Sequence, residues 1–245
     1  MRWRILETGR RSVYYNMAVD EALFSCLKHG DNYPVIRFYR WEKPCITIGY
    51  FQSIPALKRI FSLQGINYVR RMTGGGAVLH GTDLAISIIC RYQDINSKNT
   101  LESYNKISSA IASGISCLDP AIRVEKEGSF FSNLCFNAPQ PGDIVCNSKK
   151  LAGGAQRRSR GYLLYQGSIL VSKPCKEIVL QGKNISIEEI TSKEIKIKNL
   201  EQLIISGIQK QFKINTEESS LSKKEIIFAK KIEKKYRSRA WSSLY

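Results

Sequence analysis

"RRMTGGGAVLHG", residues 70–81, places three consecutive glycines between two arginines and one of the two histidines of the chain. A glycine run lets the backbone come close to a phosphate group, another chain or a ligand. The stretch is not a P-loop, because Ala77 and Val78 follow Gly76 where that motif needs a lysine and a hydroxyl residue. It is not the dinucleotide fingerprint either, because Leu79 occupies the sixth position of G-x-G-x-x-G. The glycines therefore predict either a tight turn or a close approach to something other than a nucleotide phosphate.

The segments around the glycine run predict a helix followed by strands. Alternating residues in 66–72 and the apolar run 83–92 predict two strands, so the glycine loop is expected to join them. Upstream, apolar residues recur at helical spacing over 14–30, and Gly30 can end that helix. The other predictions for this part are strands at 34–40 and 44–51 and a helix at 101–118.

The second half of the chain is predicted to contain a hairpin at 143–158, a strand at 161–171 and helices at 199–212 and 222–236. The hairpin is expected to turn at Asn147-Ser148. Ser222 and Glu225 have the spacing of a capping box and mark the start of the last helix. No internal repeat or long linker interrupts the chain. We therefore expect one α+β domain over the whole chain of 245 residues, with a Lys-rich helical tail at about 199–245 that packs on it.

The charge balance predicts acidic partners. Lysine and arginine number 38 against 21 aspartate and glutamate residues, which gives a net charge of +17. Such a charge speeds encounters with acidic molecules, and nucleic acid and small acidic carrier domains are both candidates. A third interpretation is that the positive charge serves only to keep the protein soluble. Because no nucleic-acid motif is present and the basic residues are dispersed, nucleic acid is the weaker candidate.

Composition also bears on location and metal binding. No apolar run approaches the roughly 20 residues of a membrane span, and the N-terminus lacks an apolar signal region, so we expect a cytoplasmic protein without membrane partners. The seven cysteines form no C-x-x-C pair, and only His29 and His80 could assist them, so no metal site is predicted. In a reducing compartment most of these cysteines are expected to be small buried side chains.

Several blocks of the sequence resemble one known superfamily. "RRMTGGGAVLHG" is similar to the R-R-x-[ST]-G-G-[GR]-[AG]-V-x-H signature of the lipoyl branch of the lipoate/biotin protein ligase superfamily. Residues 143–170 resemble its K-[KRF]-x-[AS]-G-[SN]-A-Q and H-G-[ST]-[IL]-L stretches, and 16–23, 37–52 and 234–241 resemble further segments in the same order. The resemblance implies the fold of that catalytic domain, a mixed β-sheet core with flanking helices.

Within this superfamily, "LCFNAPQPGDIV" (134–145) resembles the C-F-x-x-P segment of cysteine-dependent octanoyltransferases of the LipM type. The resemblance implies that Cys135 attacks an acyl thioester and becomes an acyl-enzyme, with Lys150 as its cationic partner. A free thiol is only about 3% thiolate at pH 7, so a nearby cation would activate it. The alternatives are a buried thiol like the other six and a solvated lysine beside Lys149, since spacing alone does not separate the two lysines.

The same resemblance implies a set of substrate-binding residues: Arg71, Gly74, Gly75, Gly76, His80, Gly153, Gly154, Ala155, Gly167 and Ser168. The glycine loop would lie along a thin acyl chain, and backbone amides near Lys150 would hold the oxyanion. Arg70 and Arg71 alternate in a strand, so only one of them can face the site, and Arg71 is preferred. His80 is the one histidine placed to act there, or it is a structural hydrogen-bonding residue.

Departures from the family pattern bear on cofactors. Gly81 stands where most members have aspartate, and Asp83-Leu84 stands where ligases have Gly-Asn, which weakens an ATP-using reading. In contrast, the G-G-G-A of the glycine run is closer to the ligases. Gln166 replaces the usual histidine before Gly-Ser, so no imidazole is available there as a base.

The function implied by the resemblance is octanoyl (or lipoyl) transfer from acyl carrier protein to a lysine of a lipoyl-accepting domain. Such acceptors include the glycine cleavage H protein and the acyltransferase subunits of 2-oxoacid dehydrogenases. Because one thioester is exchanged for another, this reaction requires no cofactor. ATP-dependent lipoate-protein ligase is the alternative, and it alone would need ATP and Mg²⁺. An amidotransferase that passes octanoyl between lipoyl domains, or a non-catalytic binder, stays open as well.

Overall fold

A large mixed β-sheet organises the fold. A computed structural model of the protein describes residues 2–30, 33–55, 65–127, 139–173 and 183–244. In chain order the elements are β1 (Arg2–Arg11), α1 (Val13–Lys28), β2 (Val35–Trp41), β3 (Cys45–Ile48), β4 (Asn67–Arg70), β5 (Val78–His80), β6 (Asp83–Arg91), α2 (Thr100–Ile115), β7 (Ile122–Val124), β8 (Ile144–Cys146), β9 (Lys149–Ser159), β10 (Tyr162–Leu170), α3 (Ile187–Thr191), α4 (Ile197–Phe212), β11 (Asn215–Ser219), α5 (Lys223–Arg237) and α6 (Arg239–Ser242). A short 3₁₀ helix, Tyr92–Ile95, follows β6.

The strands form two sheets. The main sheet has the order β11-β1-β2-β6-β10-β9-β8-β7, and a smaller sheet has the order β4-β3-β5. In the main sheet β1 is parallel to both of its neighbours, and the other pairs are antiparallel. In the small sheet β3 is parallel to β4 and antiparallel to β5. The predicted α+β class with a mixed β-sheet core is therefore confirmed.

Helices cover both faces of the main sheet. Successive residues of β6 show this, since Ile88 packs with α2 and α4 while Ile89 packs with α1 and α5. Because side chains alternate along a strand, the two clusters lie on opposite faces. Both faces of β6 are therefore apolar, as its sequence predicts. No helix in the described ranges is long and apolar enough to span a membrane.

The C-terminal helices are tied to the first elements of the chain. The predicted capping box at the start of α5 forms, and its Glu225 also accepts a hydrogen bond of 2.7 Å from Arg4 in β1. Further along α5, Lys235 and Tyr236 donate to Glu21 of α1 at 2.7 Å and 2.6 Å. These contacts pack α5 onto the same face of the sheet as α1, whereas α4 packs with α2 on the opposite face.

Some elements differ from the prediction. β1, β5, β7 and β11 were not predicted. The glycine loop leads from β4 to the short strand β5 in the small sheet, so the expectation that it joins 66–72 directly to 83–92 is wrong. β11 is a polar strand, and it forms because it pairs with β1 in register, Arg2 with Asn215. Such pairing between distant segments leaves no apolar alternation in the sequence.

Glu201 makes stability depend on pH. It is a buried residue of α4, and burial followed by repulsion from Glu7 raises the pKa of its carboxyl from 4.5 to about 7. Between pH 4.5 and about 7 the folded state therefore holds a proton that the unfolded state has released. The stability that this proton contributes is full below pH 4.5 and is lost as pH rises through 7. We expect Glu201→Gln to raise the free energy of unfolding by about 1–3 kcal/mol at pH 8 and to change it little at pH 4.5.

Urea unfolding of both proteins at the two pH values measures this difference. Glu194→Gln, which removes an exposed carboxyl just before α4, is the matched control and should leave the pH profile unchanged. An equal shift at both pH values for Glu201→Gln would mean that packing, rather than titration, sets the effect.

Candidate active site

A narrow cleft, with a cavity volume of about 30 Å³, lies where α1, β2, β9 and β10 meet β3 and β5 of the small sheet. Met17, Tyr39, Trp41 and Val78 contribute its apolar walls. Seven of the ten predicted substrate-binding residues line it: Arg71, His80, Gly153, Gly154, Ala155, Gly167 and Ser168. A mostly apolar cleft with a few fixed polar groups is the usual form of a site for a small ligand.

Lys150 is buried behind one wall of this cleft. Only 1% of its side chain is exposed, and its Nζ lies 2.6 Å from Asp143 Oδ2. The preceding residue of β9, Lys149, is exposed. Neighbouring side chains of a strand point to opposite faces, and Lys150 lies on the face that meets Asp143, whereas Lys149 begins β9 at the hairpin turn. The structure therefore separates the two lysines, and its geometry suits Lys150 to a site role.

The glycines of β9 bring this ion pair close to the cleft. A Cβ at Gly153 would lie 2.6 Å from Asp143 Oδ1 and 2.9 Å from Lys150 Nζ, so a larger residue would displace the pair. Tyr104 donates to Asp143 Oδ1 at 3.0 Å, and its hydroxyl accepts from the Gly154 amide at 3.0 Å. The amide of Lys150 also donates to a backbone carbonyl, at 2.8 Å. Both of these amides are therefore occupied, and an oxyanion site formed by other backbone amides near Lys150 stays a prediction.

His80 is held by hydrogen bonds on both ring nitrogens. Its Nδ1 lies 2.7 Å from Asp83 Oδ2, and its Nε2 lies 2.9 Å from the Thr47 hydroxyl. Asp83 Oδ2 also accepts from Ser168 at 2.7 Å and from Trp41 at 3.2 Å. Burial raises the pKa of Asp83, but the charge and hydrogen bond of His80, helped by the other donors, bring it below its usual value. An ionised carboxylate therefore orients the imidazole at the cleft wall.

Arg71 fastens the glycine loop. Its guanidinium donates to the carbonyl oxygen of Gly74 and, at 2.8 Å, to that of Gly76. Gly75 has φ of 82°. Its carbonyl oxygen packs tightly on Gly49, since a Cβ added at Gly49 would lie 1.8 Å from this oxygen. A Cβ at Gly74 would meet no atom within 4 Å. The loop packs on Gly49 and Arg71, and none of its three glycines is among the described residues that line the cleft. Contact between the loop and an acyl chain thus stays a prediction.

Arg70 binds backbone oxygens elsewhere. It donates to three carbonyl groups between Gly49 and Gln52, at 2.7 to 3.0 Å, and to the carbonyl of Ser242 at 2.9 Å. In return Trp241 of α6 donates to the Arg70 carbonyl at 2.8 Å. Arg70 therefore joins the C-terminal helix to the turn after β3, and of the two arginines Arg71 lines the cleft.

Gln166 has a fixed orientation in the cleft. Its Oε1 accepts from Thr73 at 2.8 Å, and its Nε2 donates to Asp20 of α1 at 2.7 Å. Asp20 is buried and also binds Arg37 at 2.5 Å. The Gln166 amide therefore links the cleft to α1. A neutral side chain is sufficient for this link, which involves no proton transfer.

The predicted nucleophile, Cys135, lies outside the described residues. Five other cysteines are described: Cys26, Cys45, Cys90, Cys117 and Cys146. None of these five lines the cleft. Burial raises the pKa of the thiols of Cys45, Cys90 and Cys146, and nearby carboxylates raise it further. A thiol with a raised pKa is a poor nucleophile, so these three are structural.

Sequence analysis missed several polar residues of the site. Asp83 and Thr47 hold His80, and Asp143 and Tyr104 hold Lys150. Two of these residues had a local signal, since Asp83 lies three residues after His80 and Asp143 lies seven residues before Lys150. Thr47 and Tyr104 come from elements distant in sequence. Among the described residues, no group of three or more His, Cys, Asp or Glu side chains could hold a metal ion.

The fold is similar to that of lipoate and biotin protein ligase catalytic domains. A bi-partite lipoate protein ligase from Thermoplasma acidophilum superposes with a TM-score of 0.76 at 22% identity, over 100% of this chain and 96% of that chain. A biotin protein ligase from Aquifex aeolicus superposes with a TM-score of 0.50 at 13% identity, over 86% of this chain and 70% of that chain. At these identities the likeness concerns the fold.

Sequence comparison identifies the family. Residues 12–216 match the model of the lipoyl protein ligase A/B catalytic domain. The octanoyltransferase LipM of Staphylococcus epidermidis is 32% identical in an alignment of 269 positions, which covers 98% of this chain and 97% of the relative. The octanoyltransferase LipM of Bacillus subtilis is 31% identical over 270 residues, with the same coverage. The chain belongs to the lipoyl protein ligase A/B catalytic domain family.

Proposed function

We propose that this protein is an octanoyltransferase of protein lipoylation, which moves an octanoyl group from acyl carrier protein to a lysine of a lipoyl domain. Relatives named octanoyltransferase LipM match nearly the whole chain. The structural observation that carries the proposal is the buried ion pair of Lys150 and Asp143 beside an apolar cleft. A fixed cation next to an apolar cleft suits a substrate with an aliphatic chain and a reactive carbonyl group.

In the first step the Cys135 thiolate attacks the thioester carbonyl. A carbon–sulfur bond forms to Cys135, and the bond to the carrier sulfur breaks, so the carrier leaves as a thiol after it takes up a proton. The Lys150 ammonium group would stabilise the negative charge that develops on the carbonyl oxygen. Cys135 precedes Gln140 by five residues, and the Gln140 amide donates to Asp143 at 2.8 Å. The segment that carries the nucleophile therefore leads directly into the residues that hold Lys150.

In the second step the acceptor lysine attacks the acyl-enzyme. An amide bond forms, the carbon–sulfur bond to Cys135 breaks, and the amine loses a proton. His80 is the histidine on the cleft wall, and Asp83 would stabilise its imidazolium form. We propose that His80 Nε2 accepts this proton, with the Thr47 hydroxyl turning from donor to acceptor.

Neither step consumes ATP, and this distinguishes the proposal from a ligase. The experiment is an intact-protein mass spectrum after the protein is mixed with octanoyl-acyl carrier protein without ATP. We expect an octanoyl adduct that hydroxylamine removes and that a lipoyl domain discharges as it becomes octanoylated on lysine. Labelling only with ATP and free octanoate or lipoate would identify a ligase instead. Charging only by an octanoylated lipoyl domain would identify an amidotransferase.

A further inference from the structure

The outward face of α5 is a stripe of basic residues. Its exposed lysines include Lys223, Lys230, Lys231 and Lys234. Lys234 follows Lys230 by four residues and Lys231 by three, and Lys223 lies two turns before Lys230, so these lysines share one side of the helix. Both glutamates of the helix, Glu225 and Glu233, are paired with arginines. In the described part of the chain no carboxylate pairs with Lys230, Lys231 or Lys234. The stripe therefore presents concentrated positive charge to solvent.

An apolar groove lies along this stripe. Ile227 is 69% exposed, and it lines the groove together with Phe228 and Lys231 of α5 and with Cys26 and His29 at the end of α1. An apolar centre with a charged rim is the arrangement of a protein-binding surface. The charge of the rim selects an acidic partner.

The distance from the groove to the cleft favours one of the two protein substrates, the acyl carrier protein that is the donor, over the lipoyl domain that is the acceptor. Met17 lines the cleft and Cys26 lines the groove, nine residues further along α1. At 1.5 Å per residue they are about 14 Å apart along the helix axis. The four-carbon stem of an acceptor lysine is too short to span this distance from a domain seated in the groove. An acyl group on the long pantetheine-type arm of a carrier protein is able to reach.

We propose that this groove and stripe, formed by α5 and the end of α1, are the docking site of the acidic carrier protein that delivers the acyl group. The proposal rests on the proposed function and adds the place and chemistry of donor recognition. Carboxylates of the carrier would face Lys230, Lys231 and Lys234, and an apolar carrier side chain would cover Ile227. The acyl arm would then run along α1 and α5 to the cleft.

The test compares two triple variants with equal charge change. One carries Lys230→Glu, Lys231→Glu and Lys234→Glu. Its control carries Lys193→Glu, Lys196→Glu and Lys210→Glu, which change exposed lysines around α4. Steady-state transfer is measured with octanoyl-acyl carrier protein and with octanoyl-pantetheine, which has the arm without the carrier. We expect the α5 variant to raise KM for the carrier about 10-fold at unchanged kcat, and to flatten the dependence of KM on salt, while pantetheine kinetics stay unchanged.

The outcomes separate failure of the docking site from failure of the proposed function. An equal rise in KM for both triple variants, or no rise for the α5 variant, would overturn the docking site while leaving the transferase intact. Loss of activity with both donors in the α5 variant would show damage to the catalytic cleft, and it would also overturn the docking site. Ile227→Ser adds a variant that keeps the charge, and its carrier KM should rise at least 3-fold if the groove is covered. A wild-type protein that transfers octanoyl from neither donor would overturn the proposed function, and the docking site with it.

Discussion

Replacement of Lys150 by methionine is expected to lower the rate of octanoyl transfer by about 100- to 1,000-fold, the usual effect of removing one group that stabilises an oxyanion. Methionine keeps most of the aliphatic volume and removes the charge. Lys149→Met, at the exposed neighbour in the same strand, is the matched control and should keep nearly full activity. Single-turnover rates of adduct formation measure the difference. Similar losses in both variants would show that local charge, and not the buried ammonium group, is what the reaction needs.

Loss of Lys150 also leaves Asp143 as a buried carboxylate without its cation. Breaking a buried pair from one side typically destabilises a protein by about 3–5 kcal/mol, whereas removal of both charges is often close to neutral. The double variant Asp143→Asn, Lys150→Met should therefore recover the unfolding midpoint of the wild type without recovering activity. Recovery of activity together with stability would mean that Lys150 acts only in folding.

Of the strands that carry the site, β9 and β10 follow from local sequence, whereas β5 and the pairing partners of these strands do not. Asn147 and Ser148 were predicted to turn the hairpin, and both adopt the positive φ, 49° and 60°, that a tight hairpin turn requires. In contrast, the burial of Lys150 depends on its register in β9, which shifts against β8 between Ile144 and Val145. A shift of one residue would exchange the two lysines. Periodicity predicts the strand but not this register, so it does not separate Lys149 from Lys150. The family resemblance favoured Lys150, and the structure shows that Lys150 is the buried one.

The polar partners of the site illustrate the same limit. Tyr104 reaches Asp143 from α2, and Thr47 reaches His80 from β3, in each case across more than thirty residues of sequence. The glycine run had a local signature, but its tight contact with Gly49 was not visible. Residues that a family motif contained could therefore be proposed for the cleft, and seven of the ten line it, while their chemical roles stay predictions. Residues contributed by another element, and held only by tertiary contacts, could not be proposed from the sequence.

Replacement of Cys135 by serine is expected to abolish the hydroxylamine-labile adduct and to lower octanoyl transfer by at least about 1,000-fold, since a group that forms the covalent intermediate has no substitute. A serine hydroxyl is far less ionised than a thiol at neutral pH, so a nearby ammonium group cannot activate it to the same extent. Intact-protein mass spectra and transfer rates, with octanoyl-acyl carrier protein as donor, measure the two effects.

The matched control is Cys117→Ser, because Cys117 is an exposed thiol outside the cleft and should tolerate the change with full activity. Cys45→Ser is the sharper comparison. Cys45 lies opposite His80 in the small sheet, close to the proposed reaction, but burial and the charge of Asp83 raise the pKa of its thiol. We expect Cys45→Ser to keep the adduct. Persistence of the adduct in Cys135→Ser, with loss in Cys45→Ser, would move the nucleophile to Cys45.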